Sequence, residues 1–386
     1  MQYGGKALRS IFLVSFLFFA HLALVMYINS TVLNRLVGTT TTTTLYVLGA
    51  AGSIALLYFI PRIVQRVGLV KTAVSIFVLL AVTLFFLGTT AQPHLFVAAF
   101  VLYSALTAMV WYCNDMFVSH YAKEKVMGHV RGTYLTIINT AIALMPVIAG
   151  LLITRYGFSI AYVMAGLLLV IGAGIILNSQ RRFVDHQYRE PDMRTAWHVV
   201  KRSPSLRRVL ALNFLLQFFY TVMTIYSPLY LLSVMHFGWS TIGAIFSIAL
   251  TSFIILQYPI GRWSDTIGEK KLLLAGLLIA SLSTIVFGWV GFSMASAILI
   301  IVILFATRIG ASITEVMTES YFFKQVNDRD DGIISLYRTM YPLSYILGPL
   351  FGWIVLVHGS YMTLFMALGG ILFLGALYSL RLKDIR

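Results

Sequence analysis

Gly261-Arg262-Trp263-Ser264-Asp265-Thr266-Ile267-Gly268-Glu269-Lys270-Lys271 is a short charged turn set between two long apolar stretches. The flanking runs, about 240–260 and 270–290, each have the roughly 20 mostly apolar residues that cross a bilayer as a helix. Across the whole chain 59% of the 386 residues are hydrophobic and 11% are charged. A soluble protein carries about 25% charged residues and cannot hide this much apolar surface, so the lipid bilayer is the natural solvent. The net charge of +15 does not point to nucleic acid, because the basic residues sit between apolar runs rather than in one patch. The only cysteine, Cys113, lies inside an apolar run, which excludes an internal disulfide framework or a zinc pattern. No cofactor or metal is expected.

Ten more apolar runs bring the expected spans to twelve, at about 9–30, 44–61, 70–90, 94–119, 130–154, 157–178, 206–234, 240–260, 270–290, 294–322, 332–356 and 360–380. The first follows Lys6 and Arg9 as a signal peptide would. No convincing small-residue cleavage site comes after it, so it reads as a retained helix. A polar, Arg-rich segment at 179–205 separates two groups of six. This gives an N-terminal bundle (1–178), a linker (179–205) and a C-terminal bundle (206–386).

Basic residues test the count. With the N-terminus cytoplasmic, alternate segments hold Arg62, Arg66, Lys71, Lys123, Lys125 and Arg131, then the linker arginines, then Arg262, Lys270, Lys271 and Lys324. The opposite loops hold only Arg35 and Arg155. One span more or fewer would invert a half and spoil this asymmetry, so both termini and the linker are expected in the cytoplasm. The halves also read as repeats. A shift of 198 brings Leu8-Arg9 onto Leu206-Arg207 and Pro61 onto Pro259, and a shift of 203 brings Tyr134 onto Tyr337 and Pro146 onto Pro349.

Six plus six helices around a cytoplasmic linker, with Gly-x-x-x-Asp-x-x-Gly closing on basic residues at 261–271, resembles the major facilitator superfamily of secondary transporters. The resemblance covers essentially the whole chain. It implies an all-α integral membrane fold of two six-helix bundles related by pseudo-two-fold symmetry. It also implies that Gly261, Asp265, Gly268, Lys270 and Lys271 belong to a cytoplasmic gate. The first-half counterpart, Pro61 to Lys71, keeps Gly68 and its basic residues but has Gln65 where the acid is expected. Arg308-Ile309-Gly310-Ala311-Ser312 resembles the family's Arg-x-x-Gly helix motif, although it sits in the tenth span rather than the fourth. Gly348-Pro349-Leu350-Phe351-Gly352 resembles part of the Gly-Pro-x-x-Gly antiporter motif in the eleventh span rather than the fifth, where only Pro146 and Gly150 stand.

Within the spans the tenth is richest. Arg308, Ser312, Glu315 and Glu319, spaced by four, three and four, share one helix face. Glu315 and Glu319 are like-charged neighbours, an arrangement in which one carboxyl keeps its proton, and Glu315 is the expected coupling residue. The alternatives are structural: an ion pair of Glu315 with Arg308, and of Glu319 with Arg338. Asp115 and Arg131 are expected to pair as gate scaffolding. The resemblance places the first, fourth, seventh and tenth spans around the substrate. His21, Trp111, Asn114, Gln217 and Tyr220 are therefore pocket candidates, together with Tyr341 and Tyr345 of the eleventh. Each serves equally well as interhelical packing or glue. The six threonines at 39–44 read as a loop entering the second span.

No phosphate-binding Gly-x-x-x-x-Gly-Lys-Ser/Thr loop is present, and the eight histidines are scattered, so neither an ATP-driven pump nor a membrane enzyme is indicated. The expected function is alternating-access transport of a small-molecule substrate coupled to a proton. An aromatic, sparsely charged pocket favours export of drug-like or amphiphilic compounds. Uptake of a sugar or organic acid, and a transporter-like sensor that moves nothing, are the alternatives. A monomer in a prokaryotic inner membrane is expected.

Overall fold

The computed structural model describes residues 2–121, 127–181, 183–184, 193–290, 296–326 and 331–382. Among them are thirteen helices and no strand: α1 (Gln2–Val25), α2 (Asn29–Val67), α3 (Leu69–Thr89), α4 (Pro93–Tyr121), α5 (Met127–Tyr156), α6 (Phe158–Ser179), α7 (Met193–Arg202), α8 (Pro204–Ser233), α9 (Trp239–Ile267), α10 (Glu269–Val290), α11 (Ala297–Phe323), α12 (Asp331–His358) and α13 (Tyr361–Ser379). All but α7 are long and apolar enough to cross a membrane. Helices are the natural solution there, because lipid offers no partner to a backbone N–H or C=O.

Three helix starts in the second half are written locally. Ser203, Ser296 and Ser360 stand at N-caps, where each hydroxyl accepts from the backbone N–H three residues on. Pro204 follows at the first position of α8, where its missing donor costs nothing.

Two features depart from the sequence reading. The threonines are helical rather than a loop. α2 runs from Asn29 with one break at Gly38, where φ is +75°, and continues through the run. Thr42, Thr43 and Thr44 donate to the carbonyls of Gly38, Thr39 and Thr40, so the hydroxyls spend their polarity on their own helix. The segment 261–267 is also helical rather than a turn. It forms the end of α9, and Gly268 (φ +90°) is the single residue between α9 and α10. Gly68 (φ +93°) does the same between α2 and α3. Each glycine N–H closes the preceding helix, on Val64 O at 2.8 Å and Ser264 O at 3.1 Å. That ending needs positive φ, which only glycine adopts freely.

The chain forms two compact units, Met1–Glu190 with Gly238–Ser247, and Pro191–Phe237 with Ile248–Arg386. In the first, α1 packs on α5 and α6, and α3 on α4 and α6. In the second, α8 packs on α12 and α13, and α10 on α11 and α13. The pattern is the same one half later. Helices α3, α6, α10 and α13 keep exposed apolar residues such as Val82, Ile171, Leu282 and Leu374, the surface that lipid covers. Pro61 and Pro259 lie inside α2 and α9, and Pro146 and Pro349 inside α5 and α12, as the repeat requires.

The first nine residues of α9, with Gly238 before them, cluster with the first unit. There Gly150 meets the Trp239 carbonyl, Gly243 meets the Pro146 carbonyl, and Val147 N–H donates to Ser247 Oγ at 2.9 Å. The Tyr27 and Phe246 rings stack 4.2 Å apart. The linker carries one helix that the sequence reading did not foresee. In α7, Ala196 and Val200 are buried one turn apart, while Trp197, His198, Lys201 and Arg202 are exposed. Its contacts run to α8 and α12.

Candidate functional site

The polar face of α11 lies in the second unit against α8 and reaches α12 near its end through Glu319. Arg308 is 2% exposed and Ser312 is fully buried, whereas Glu315 and Glu319 are half-buried. The Tyr220 hydroxyl of α8 donates to Glu315 Oε2 at 3.2 Å. Glu319 Oε1 lies 3.5 Å from Arg338 Nη1 of α12. The ion pair considered between Arg308 and Glu315 is not formed. The two residues are seven apart, about 10 Å along the axis of an α-helix, and their side chains turn to other partners across that gap. Instead the Arg308 guanidinium sits over the Phe219 ring, 5.7 Å from its centre. Among the described residues its Nε and the Ser312 hydroxyl have no hydrogen-bond partner.

Other polar residues on α8, Asn213 and Thr221, turn toward α12. Asn213 donates to the Tyr337 carbonyl at 3.1 Å, and Gln217 donates to Asn213 Oδ1 at 3.4 Å. Thr221 and Ser344 hydroxyls meet at 2.7 Å. The Tyr341 and Tyr345 rings are 5.1 Å apart and both half-buried. Gln217, Tyr220, Arg308, Glu315, Glu319, Arg338, Tyr341 and Tyr345 therefore fall on three helices of one unit.

Two motifs act here as packing surfaces. A Cβ at Gly310 would overlap the Ala280 nitrogen and lie 2.5 Å from the Gly276 oxygen, so this glycine lets α10 and α11 touch backbone to backbone. Gly352 receives the Tyr226 ring, whose hydroxyl donates to the Pro349 carbonyl at 2.9 Å, and Gly348 faces Thr221. Both glycines of the antiporter-like stretch thus seat α8 side chains.

The other pocket candidates belong to the first unit. His21 is fully buried on α1. Its Nε2 is 3.3 Å from the Tyr103 hydroxyl, and its Nδ1 has no hydrogen-bond partner among the described residues. Asn114 is buried with its Nδ2 likewise unbonded. Trp111 is half-buried and meets Phe19 edge-on at 4.7 Å. Asp115 is half-buried on α4, but its expected partner, the Arg131 side chain, lies outside the described residues, as does that of Asp265. Gly261 is a helical residue of α9 with nothing near its Cβ position, and Lys270 and Lys271 open α10.

Sequence reasoning missed Glu269. This residue opens α10, is 1% exposed, and forms an ion pair with Lys324 at the end of α11. An acid directly after the helix-breaking glycine was the available signal, because a helix N-terminus favours negative charge.

Six apolar spans on either side of a linker, with a buried polar seam on the tenth, define a multi-pass membrane protein of the transporter class. The match to known proteins gives the family. Residues 11–330 and 240–385 match the family model described as Major Facilitator Superfamily. The chain belongs to the major facilitator superfamily and is a transporter rather than an enzyme. The solved structure of the nucleoside transporter NupG is similar with a TM-score of 0.77 at 12% identity, covering 97% of this chain and 99% of that one. The peptide transporter POT, solved in complex with sulfate, is similar at 0.78 and 14% identity, covering 97% and 94%. A stretch of 57 residues is 40% identical to Multidrug resistance protein 2 of Bacillus subtilis (strain 168), covering 15% of this chain and 14% of that relative.

Proposed function

We propose that this protein exports small amphiphilic or drug-like organic compounds in exchange for protons, by alternating access. The observation that carries the reading is the contact between Glu315 and Tyr220. A carboxyl group inside a membrane span costs several kcal/mol unless it is neutral or partnered. Here it meets a hydroxyl that can bond either form, so loading and unloading a proton leaves the contact intact. Glu315 then carries the coupling proton, and Gln217, Tyr220, Arg308, Tyr341 and Tyr345 supply substrate contacts from the second unit. Within the first unit, taken by itself, the candidate substrate contacts are His21, Trp111 and Asn114.

In the second unit Asp265, with Gly261, Gly268, Lys270 and Lys271, carries the cytoplasmic gate motif, with the Glu319–Arg338 pair as scaffold; in the first unit the scaffold candidates are Asp115 and Arg131. The basic-residue asymmetry supports cytoplasmic termini, and the compact size with cytoplasmic ends suits a prokaryotic inner membrane. The protein works as a monomer. The short stretch shared with a multidrug resistance protein supports drug-like substrates.

The test is accumulation of matched fluorescent amphiphiles, one cationic, one neutral and one anionic, in cells expressing wild type or Glu315→Gln, with and without a proton uncoupler. Lower accumulation of any of them in the wild type, abolished by the uncoupler and by the substitution, is the expected result. Higher accumulation instead selects the second reading, uptake of an organic acid, which the buried Arg308 favours. No difference in any condition removes proton-driven transport of such compounds and leaves a sensor.

A further inference from the structure

We infer that Arg308 and Ser312 form an anion-binding subsite, and that the transported compound carries a carboxylate or phosphate group on an apolar body. The inference deepens the proposed function and rests on it for the word transported. Charge on α11 is unevenly compensated. Of its two acids, Glu319 faces Arg338 and Glu315 accepts from Tyr220. Arg308 is left 2% exposed, with no ion pair to any described residue. A buried charge persists where something compensates it, and a guanidinium is never neutral. The Phe219 face supplies part of that compensation and leaves Nε unbonded.

The same helix face carries a second unbonded polar atom. Arg308 Nε and Ser312 Oγ are both buried and unbonded among the described residues, one helical turn apart on the same face. A guanidinium fork beside a hydroxyl matches the lone pairs of a carboxylate or phosphate, which accept and do not donate. A cation would be repelled, and a neutral polyol would leave the charge uncompensated. Backing away is closed to the helix, because Gly310 holds α11 backbone-to-backbone against α10. The neighbouring threonine hydroxyls are already bonded: Thr307 and Thr314 donate to the Leu304 and Gly310 carbonyls. Ser312 is the one left open beside the cation, while Phe219 offers an aromatic wall to the apolar body.

The experiment uses the full-length purified protein and three probes that share one apolar body: pyrenebutyrate, pyrenebutanol and pyrenebutylamine. Thermal stabilisation in detergent reads binding, and flux into vesicles of zwitterionic lipid reads transport. Pyrenebutyrate is expected to stabilise the wild type at concentrations at least about tenfold below the other two, since a charge-assisted pair is worth about a tenfold preference or more. Arg308→Gln should abolish that preference, Arg308→Lys should retain part of it, and Ser312→Ala should weaken it several-fold. Should Arg308→Gln fail to fold, Ser312→Ala and Arg308→Lys still decide. Equal binding of the three probes, or an unchanged preference in the variants, overturns the subsite. Loss of the preference when phosphatidylglycerol is added to the vesicles assigns the site to a lipid headgroup and also overturns it. Proton-driven flux of the amine or alcohol without preferential butyrate binding removes the subsite and leaves export standing. Butyrate binding that depends on Arg308 without flux keeps the subsite and removes the export reading.

Discussion

Tyr220 and Glu315 face each other across the α8–α11 contact, with the phenol donating to the carboxylate oxygen at 3.2 Å. This places a titratable group of one helix against an uncharged hydroxyl of another, rather than against a fixed cation. A carboxylate held by arginine or lysine resists protonation, whereas one held by a phenol has no counter-charge to lose. Glu315→Gln is therefore expected to leave a folded protein whose transport no longer responds to a pH gradient. Tyr220→Phe removes one hydrogen bond, worth about 1 kcal/mol, and should slow transport without abolishing its pH response. Flux into vesicles with and without an imposed pH gradient checks both. A pH response that survives Glu315→Gln would remove Glu315 from the coupling path.

The Glu269–Lys324 pair makes a separate prediction. Lys324→Met leaves the Glu269 carboxyl, in a residue only 1% exposed, without its cation. Breaking a buried pair costs about 3–5 kcal/mol, and about 2 is expected here because the Lys324 side chain is 39% exposed and solvent screens it. The double variant Glu269→Gln with Lys324→Met should recover at least half of the loss. Thermal midpoints of the purified proteins would show it, and a double variant no better than the single would mean that the two groups are not coupled.

Gly310 and Gly261 should respond in opposite ways to the same substitution. Alanine at Gly310 drives a methyl into the α10 backbone and should cost about 1–3 kcal/mol. Alanine at Gly261 meets nothing within 4 Å, on a helix, and should be neutral or gain up to about 1 kcal/mol. Equal melting temperatures for the two variants would contradict the close α10–α11 approach.

Membrane orientation is open to chemical labelling, because Cys113 is fully buried and leaves a quiet background. Gln92→Cys between α3 and α4, and Lys201→Cys on α7, are both at exposed positions. A membrane-impermeant maleimide added to intact cells is expected to label the first and spare the second. The reverse pattern would invert the topology.

The spans were legible because hydropathy and length decide them, and α6, α8 and α10 fall within about two residues of their expected bounds. The ends of α2 and α9 were not. Arg62, Arg66, Arg262 and Asp265 look like loop residues on a hydropathy scale, yet polar side chains are no obstacle to a helix that has left the hydrocarbon. Helix α7 escaped for the opposite reason: with ten residues it is far too short to register as a span. The polar face of α11 was readable from spacing alone. The Glu319–Arg338 pair was also named from the sequence, but a one-dimensional pattern cannot tell that Tyr220 reaches Glu315 while Arg308 is left over an aromatic ring. Gly310 and Gly352 were read as parts of functional motifs, and only the neighbouring backbone and ring reveal them as contact points.

Gly68 and Gly268 adopt nearly the same torsion, +93° and +90°, in stretches that have diverged in their charges. One stretch retains Asp265, and the other has Gln65 where the acid would stand. What the two halves hold in common at this corner is an angle and not a reagent. Kinship between them is better sought in dihedrals than in letters. A designer who wished to restore an acid to the first half would find the stage already set, with the chain reversing where its twin does and only the actor missing.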